Sequence, residues 1–291
     1  MKKILITRSA GFCFGVKRAI SIAYETASKG RDEPIHSLGP IIHNPQAVER
    51  LEEKGIRVVD QAEDIIQGKA IIRSHGVTQS ERAVLENNNI RIIDATCPFV
   101  AKAQDYARML SLEGYAVAVV GDSNHPEVKG IISYIAEGAS VSTNVEEMCE
   151  AKHWRKVGIV AQTTQSLDNL MLFVAEAMKH FKEVRVFNTI CNATKLRQEE
   201  STGLAGIAEV MFVLGGYNSA NTRRLAEICS AINSRTYHIE TEGEVTRPLI
   251  EGVSVVGVTA GASTPQWIID GLAERLKGLW GEEETEVSFY P

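Results

Sequence analysis

The sequence predicts an α/β protein with mostly parallel sheets, built from three similar units. Short runs of β-branched residues alternate with helical patterns along the chain, and this alternation is typical of parallel α/β units. A cysteine follows a strand in three places, and a glycine follows each cysteine at a nearly constant distance. Polar loops come after the strands at matching positions. Together these observations predict three small domains related by a pseudo-threefold repeat.

The elements of these units are assigned in chain order from the spacing of apolar residues. Continuous β-branched runs predict buried strands, and apolar residues that recur every three or four positions predict helices. The predicted strands are 4–6, 56–59, 70–72, 90–93, 117–120, 157–160, 184–187, 210–214 and 253–258. The predicted helices include 16–28, 47–54, 79–86, 100–112, 167–180 and 222–232.

The spacing of cysteine and glycine is the strongest sign of the repeat. Each of three cysteines precedes a helical stretch, and a glycine that opens a polar loop follows 26, 24 or 24 residues later. The pairs are Cys13 with Gly39, Cys97 with Gly121, and Cys191 with Gly215. Strand–loop–helix recurrence is common in any α/β protein, but matched offsets in three units favour a true repeat.

The repeat places the domain boundaries. We expect α/β domains at 14–96, 97–190 and 191–281, followed by a C-terminal tail at 282–291. The strand before Cys97 is expected to pair in the first sheet, and the N-terminal segment 1–13 is expected to join the third domain. The acidic run Glu282–Glu284 is expected to be a solvated end.

The composition excludes several classes of protein. The 291 residues include 31 Lys plus Arg and 37 Asp plus Glu, a net charge of −6, which does not indicate a nucleic-acid surface. No apolar run approaches the roughly 20 residues that cross a membrane, and the run 4–6 is too short for a signal peptide. Five cysteines are too few for a disulfide framework. We therefore expect a cytoplasmic protein with reduced thiols and with neither nucleic-acid nor membrane partners.

The three repeated cysteines are candidate metal ligands. A thiol at a helix N-terminus lies at the positive end of the helix dipole, which favours the thiolate that metals bind. Three thiolates suit an iron–sulfur cluster in which one iron has no protein ligand. The competing interpretation is three buried structural cysteines, since no C-x-x-C pair is present. Cys149 and Cys229 have no counterparts in the other units, so we expect neither to be a ligand and Cys229 to lie in the core.

Polar loops after the strands carry side chains suited to an anion. Imidazole, hydroxyl and amide groups, with backbone N–H groups of helix N-termini, are typical of phosphate sites. The chain lacks G-x-x-x-x-G-K-[ST] and G-x-G-x-x-G, so neither a nucleoside triphosphate nor a dinucleotide is indicated. The candidate residues are His43, His75, His125, Thr163, Ser219, Asn221 and Ser263.

Glu127 is a candidate for proton transfer. It lies two residues after His125 in a loop that follows a strand. A carboxyl beside a phosphate site and a cluster would be shielded from water, and such a group can hold or relay a proton. The competing interpretation is an acidic residue that merely complements the dipole in the first turn of a helix.

Long motifs over essentially the whole chain resemble the 4-hydroxy-3-methylbut-2-enyl diphosphate reductases, the family that catalyses the last step of the non-mevalonate isoprenoid pathway. The motifs are GFCFGVKRAI (11–20), LGPIIHNPQAV (38–48), RSHGV (73–77), DATCPFV (94–100), GDSNHPEVKG (121–130), QTTQS (162–166), TICNATKLRQ (189–198), GGYNSANTRRL (215–225) and TAGASTP (259–265). One departure is Ala220, where members of the family often carry serine.

The resemblance implies a trefoil of three domains around a central 4Fe-4S cluster, held by Cys13, Cys97 and Cys191, with the fourth iron open to substrate or water. It implies that this oxidoreductase removes the allylic hydroxyl of (E)-4-hydroxy-3-methylbut-2-enyl diphosphate with two electrons and two protons. The products would be isopentenyl and dimethylallyl diphosphate. The sequence has no flavin or nicotinamide motif, so the electrons would come from a separate donor such as a ferredoxin or flavodoxin.

The resemblance also assigns roles to the loop residues. Glu127 would deliver protons, and Thr163 would belong to the hydrogen-bond relay to the substrate hydroxyl. The diphosphate would be held by His43, His75, His125, Ser219, Asn221 and Ser263. Two interpretations from other classes stay open: a non-catalytic cluster protein that senses iron or oxygen, and a zinc hydrolase with three cysteine ligands.

Overall fold

The chain forms three parallel β-sheets connected by helices. The computed structural model describes residues 2–29, 33–136, 141–142, 144, 155–281 and 285–291. Cys149, which is expected not to be a metal ligand, and Glu282–Glu284, which is expected to be a solvated end, lie outside these residues.

The strands and helices of the described residues are as follows. The strands are β1 Lys2–Ile6, β2 Ile35–Leu38, β3 Ile56–Val59, β4 Lys69–Ile72, β5 Arg91–Asp94, β6 Ala116–Val120, β7 Val141–Ser142, β8 Lys156–Ala161, β9 Glu183–Val186, β10 Val210–Leu214, β11 Thr236–Ile239, β12 Val255–Ala260 and β13 Thr285–Phe289. The α-helices are α1 Phe14–Lys29, α2 Pro45–Glu52, α3 Gln79–Asn87, α4 Pro98–Leu112, α5 Pro126–Ser133, α6 Leu167–His180, α7 Asn192–Ala205, α8 Ala220–Ile232 and α9 Gln266–Trp280.

The order of strands follows one plan in all three sheets. Sheet A has the order β3-β2-β4-β5, sheet B has β7-β6-β8-β9, and sheet C has β11-β10-β12-β1-β13. All the pairings between described strands are parallel. Parallel neighbours need a crossover connection, which the intervening helices provide. The predicted α/β class with parallel sheets is therefore confirmed.

The chain divides into two compact units. Unit 1 comprises Met1–Val16, His43–Ala47 and Asn192–Pro291, and it contains sheet C. Unit 2 comprises Lys17–Ile42 and Val48–Cys191, and it contains sheets A and B. The division into three domains with boundaries near residues 97 and 191 stays a prediction.

The strand before each repeated cysteine has an equivalent neighbour. β5 pairs with β4 in sheet A, β9 pairs with β8 in sheet B, and β1 pairs with β12 in sheet C. Because the strands are parallel, the loops that leave their carboxyl ends lie at one edge of the sheet. Each cysteine loop is therefore beside the polar loop of the neighbouring strand, which is where open α/β sheets bind ligands.

Both faces of sheet C are buried along its central strands β10 and β12, as is typical of a parallel sheet. On one face, Phe212 and Ile4 pack with Leu272 of α9. On the other face, Met211 packs with Leu204 of α7. Complete burial of side chains of this size stabilises the fold by about 1.5–3 kcal/mol each.

The sequence pattern does not predict four of the observed strands, β2, β7, β11 and β13. The C-terminal segment was expected to be a tail, but Thr285–Phe289 forms an edge strand parallel to β1. Val287 and Phe289 are exposed in this strand. The segment therefore lacks the continuous run of buried apolar residues by which the central strands are predicted. It is recognised as a strand only by its pairing with β1.

Candidate active site

The three repeated cysteines have the same backbone environment. The N–H of each cysteine donates to a carbonyl that lies two residues beyond the end of the neighbouring strand β12, β4 or β8. The bonds join Cys13 to Ala262 (3.2 Å), Cys97 to Ser74 (2.9 Å) and Cys191 to Thr163 (3.1 Å). The spacing predicted equivalent positions for these cysteines, and the bonds give that equivalence a structural basis.

These cysteines also fit the requirements of a cluster ligand. Cys97 is the N-cap of α4, and Cys13 and Cys191 directly precede α1 and α7. All three are half-buried. Thiols at such positions are reachable by a ligand and lie at the N-terminal ends of helices, beside the free N–H groups of the first turn. The thiol that each of the three repeats provides is therefore suited to binding iron.

Cys229 has the opposite character. It lies in α8 with no exposed surface, and its thiol donates to the carbonyl oxygen of Ser201 at 3.8 Å. Burial raises the pKa of the Cys229 thiol to about 12. A thiol of that kind stays protonated and acts as a small apolar side chain. The expectation that Cys229 lies in the core is confirmed.

In unit 2, Glu127 and Thr163 are in direct contact. The Thr163 N–H donates to Glu127 Oε1 at 2.6 Å, and Thr163 Oγ1 donates to Glu127 Oε2 at 3.0 Å. The glutamate is 1% exposed. Burial raises the pKa of Glu127 to about 7, although both hydrogen bonds from Thr163 act to lower it. A carboxyl with this pKa can take up and release a proton near neutral pH.

His125 and His75 lie next to each other in unit 2. His125 is the N-cap of α5, and its Nδ1 accepts the Glu127 N–H at 3.1 Å. The neutral ring of His125 therefore carries its proton on Nε2. The His75 ring meets the His125 ring edge-on, with centroids 5.4 Å apart. Unit 2 thus brings together four of the predicted site residues: both histidines, Glu127 and Thr163.

Gln162 is a residue of this region that the sequence did not single out. Its side chain is buried, and its Oε1 accepts the Asp122 N–H at 3.1 Å. This bond ties the loop before α5 to the loop that carries Thr163. A Cβ at Gly121 would lie 2.8 Å from Gln162, so the tight packing explains a glycine there. The only sequence signal was the position of Gln162 inside the motif QTTQS.

In unit 1, His43 and Ser263 are in contact. Ser263 Oγ donates to the backbone carbonyl of His43 at 3.0 Å. A Cβ at Gly216 would lie 2.8 Å from the same carbonyl oxygen, so the loop after β10 packs closely against His43. The structure therefore groups these two predicted residues with the loop that carries Ser219.

Ser219 and Asn221 lie at the start of α8 in unit 1. Ser219 is the N-cap, and its Oγ accepts the Thr222 N–H at 3.3 Å. Asn221 is buried, yet neither atom of its amide has a hydrogen-bond partner within the described part of the chain. An unsatisfied buried amide is costly unless a ligand completes it. Ala220, the departure from the family pattern, is the first residue of this helix.

Tyr217 braces the loop that precedes α8. Its N–H donates to Glu240 Oε1 at 2.7 Å, and its hydroxyl donates to Glu244 Oε2 at 2.5 Å. The hydrogen bond to Glu244 raises the pKa of Tyr217 to about 12. The phenol therefore stays protonated at ordinary pH values, and its hydrogen bond links this loop to Glu244.

No helix within the described ranges combines the length and the apolar character that crossing a bilayer requires.

Comparison with known proteins gives consistent results. A model of the LytB protein family matches residues 4–277. The 4-hydroxy-3-methylbut-2-enyl diphosphate reductase of Syntrophotalea carbinolica is 52% identical over 278 residues, which are 95% of this chain and 99% of the relative. The enzyme of the same name from Trichlorobacter lovleyi is 52% identical over 274 residues, 94% of this chain and 97% of the relative.

Two solved structures are similar along nearly their whole length. A structure of (E)-4-hydroxy-3-methyl-but-2-enyl diphosphate reductase, the terminal enzyme of the non-mevalonate pathway, matches with a TM-score of 0.71 and 44% identity, covering 96% of this chain and 100% of its own. The E-1-hydroxy-2-methyl-but-2-enyl-4-diphosphate reductase from Plasmodium falciparum matches with a TM-score of 0.89 and 25% identity, covering 99% and 92%. The chain therefore belongs to the LytB protein family.

Proposed function

We propose that the chain is a 4-hydroxy-3-methylbut-2-enyl diphosphate reductase. It removes the allylic hydroxyl of the substrate with two electrons and two protons and yields isopentenyl and dimethylallyl diphosphate. Membership of the LytB family and the names of relatives at about half identity support this assignment. A separate protein such as a ferredoxin or flavodoxin supplies the electrons. We place the reaction in the cytoplasm, where thiols stay reduced.

Iron–sulfur binding is typical of the family. We propose a 4Fe-4S cluster with Cys13, Cys97 and Cys191 as its protein ligands, supported by their common backbone environment and half-buried thiols. When bound, such a cluster supplies electrons and an open iron that acts as a Lewis acid toward the substrate hydroxyl.

The contact between Glu127 and Thr163 is the observation that carries the proposal. A buried carboxyl with a pKa of about 7 stores a proton at working pH, and the Thr163 hydroxyl is bonded to it. When Glu127 is protonated, it can donate to Thr163 Oγ1, and the threonine hydroxyl can then donate to the substrate oxygen. The departing hydroxide would thereby leave as water.

The remaining loop residues are proposed to hold the diphosphate. The imidazole of His125 is one proposed ligand, and the amide of Asn221, which has no hydrogen-bond partner among the described residues, is another. The other proposed ligands are His43, His75, Ser219 and Ser263. Binding the diphosphate away from the reacting carbon orients that carbon, so the binding energy contributes to catalysis.

One anaerobic experiment tests the assignment. Iron and acid-labile sulfide are measured in the purified protein, and turnover of the allylic diphosphate is measured with a reduced mediator. We expect iron with sulfide and formation of both five-carbon diphosphates. Iron and sulfide without turnover would favour a sensor, and zinc without sulfide would favour a hydrolase. Either result would overturn the proposal.

A further inference from the structure

Two arginines hold the backbone of cysteine loops. Arg197 of α7 is 2% exposed, and its Nη2 donates to the carbonyls of Ser9 at 2.6 Å and Gly11 at 2.8 Å. Both carbonyls belong to the loop that ends at Cys13. Arg18 of α1 donates through Nη1 to the carbonyl of Thr96 at 3.0 Å. Thr96 is the residue directly before Cys97.

The two arginines occupy related positions in the repeat. Arg18 comes five residues after Cys13, and Arg197 comes six residues after Cys191. Each arginine therefore lies on the helix that follows one cysteine and bonds to the loop of another. The helix that follows Cys97 carries Lys102 and Ala103 at the corresponding positions, so the repeat has an arginine in only two of its three places.

The loop before Cys13 has particular need of such support. Cys13 comes seven residues after the end of β1, whereas Cys97 comes three residues after the end of β5. A longer loop has more freedom to lose when it is ordered. Arg197 is joined in holding it by Glu200, whose Oε2 accepts from both the N–H and the hydroxyl of Ser9, at 2.8 and 2.7 Å.

We infer that Arg197 and Arg18 are positioning residues that hold Cys13 and Cys97, respectively, in the geometry needed to keep an iron–sulfur cluster. The inference rests on the proposed role of these cysteines. A guanidinium has several donors in a fixed plane and keeps its charge at any working pH, so it can bind backbone carbonyls rigidly. Removing it leaves those carbonyls without their charged partner, and the loop gains freedom.

The test compares the three cysteines within one molecule. Holoprotein is treated anaerobically with iodoacetamide, and alkylation of each cysteine is followed by mass spectrometry. Trypsin places Cys13, Cys97 and Cys191 in separate peptides, since Lys or Arg residues flank each of them. A thiolate bound to iron is protected, so the alkylation rate reports how often each ligand detaches.

The two substitutions are expected to increase the alkylation of different cysteines. In Arg197→Gln, Cys13 should be alkylated about tenfold faster than in the wild type, with Cys97 and Cys191 much less affected. In Arg18→Gln, Cys97 should be the cysteine that becomes reactive. The matched controls Lys195→Gln and Lys17→Gln remove exposed charges from the same helices and should leave all three rates unchanged.

Other patterns of alkylation would contradict the inference. Rates that rise equally at all three cysteines would show general destabilisation, and unchanged rates would show no positioning role; both overturn the inference. If Arg197→Gln does not fold, Arg197→Lys carries the test, because it keeps the charge and should show a smaller effect confined to Cys13. A wild-type protein with no iron and three reactive cysteines would instead refute the proposed function.

Discussion

Thr163 donates both its N–H and its hydroxyl to the carboxyl of Glu127, at 2.6 and 3.0 Å. The two bonds favour the charged form of the glutamate, whereas complete burial favours the neutral form. Burial is the stronger effect, and the pKa of Glu127 is raised to about 7. The pKa of Glu127 therefore lies close to neutral pH, where a proton donor is most effective.

Removing the threonine hydroxyl should shift this balance. In Thr163→Val the backbone N–H remains, but one hydrogen bond to the charged carboxylate is lost. The pKa of Glu127 should then rise further, because this hydrogen bond acts to lower it. Because the variant also lacks the hydroxyl that is proposed to pass the proton to the substrate, its kcat should be lower than that of the wild type at every pH. Protonated Glu127 is the proposed active form, so the remaining kcat should fall as pH rises through this pKa, and the fall should lie at higher pH in the variant.

The measurement is kcat against pH with a reduced mediator. Thr26→Val is the control, because the Thr26 hydroxyl donates only to a carbonyl within α1. A fall that stays near pH 7, or moves to lower pH, would refute the coupling between the two residues.

Glu127→Gln should abolish the proton supply while keeping the local structure. A glutamine can accept from the Thr163 N–H and donate to its hydroxyl, so both contacts can persist. We expect kcat to fall by about 10²- to 10⁴-fold. The affinity for the diphosphate, measured by calorimetry, should change little. Turnover at the wild-type rate would exclude Glu127 as the proton source.

The cysteines should differ sharply in their effect on iron content. Cys97→Ser replaces a thiol at the start of α4 with a hydroxyl that is a poor ligand for iron. We expect anaerobically purified Cys97→Ser to lose most of its iron, sulfide and visible absorbance. Cys229→Ala is the matched control, since Cys229 is buried in the core and should not affect the cluster. Equal iron content in both variants would contradict the ligand assignment.

Much of this arrangement was predictable because it depends on short-range patterns. The three cysteines could be grouped because each follows a β-branched run and precedes a glycine at a matched offset. The residues of Glu127's environment were also predicted, since strand-end loops of parallel sheets converge at one edge.

What the sequence could not reveal depends on contacts between distant segments. The sequence pattern does not distinguish Arg197 from other basic residues of α7. Only the fold shows that it donates hydrogen bonds to carbonyls near the N-terminus. Likewise, β13 is recognisable only from its pairing with β1. The pKa of Glu127 depends on burial, which no local pattern specifies.

Asn221 should be more important for the substrate than for the fold. Its buried amide has no partner within the described residues, so it costs stability, of the order of 1–3 kcal/mol for each unsatisfied group. Asn221→Leu should raise KM by at least about tenfold, the equivalent of one lost hydrogen bond to a charged ligand. Its free energy of unfolding should not decrease.

Asn233, at the other end of α8, provides the control. Its amide donates to the carbonyls of Ala205 and Ala208, at 3.4 and 2.7 Å. Asn233→Leu should therefore lower the free energy of unfolding and leave KM unchanged. The reverse pattern in the two variants would refute a role for Asn221 in binding.

The raised pKa of Glu127 should also appear in stability. An unfolded glutamate releases its proton near its ordinary pKa of 4.5, whereas folded Glu127 releases it at about 7. Between these values the folded state binds more protons, so the free energy of unfolding falls as pH rises from 4.5 to 7. The total loss from this group is roughly 3 kcal/mol, and it is complete above pH 7.

Glu127→Gln lacks this titrating group. The difference in the free energy of unfolding between the variant and the wild type should therefore grow as pH rises. By urea unfolding of cluster-free protein, the variant should gain up to roughly 3 kcal/mol relative to the wild type at pH 8, and less than about 1 kcal/mol at pH 5. Glu49→Gln, at an exposed position of α2, should show no comparable dependence. A gap of equal size at both pH values would mean that the stability difference comes from packing and not from the buried charge.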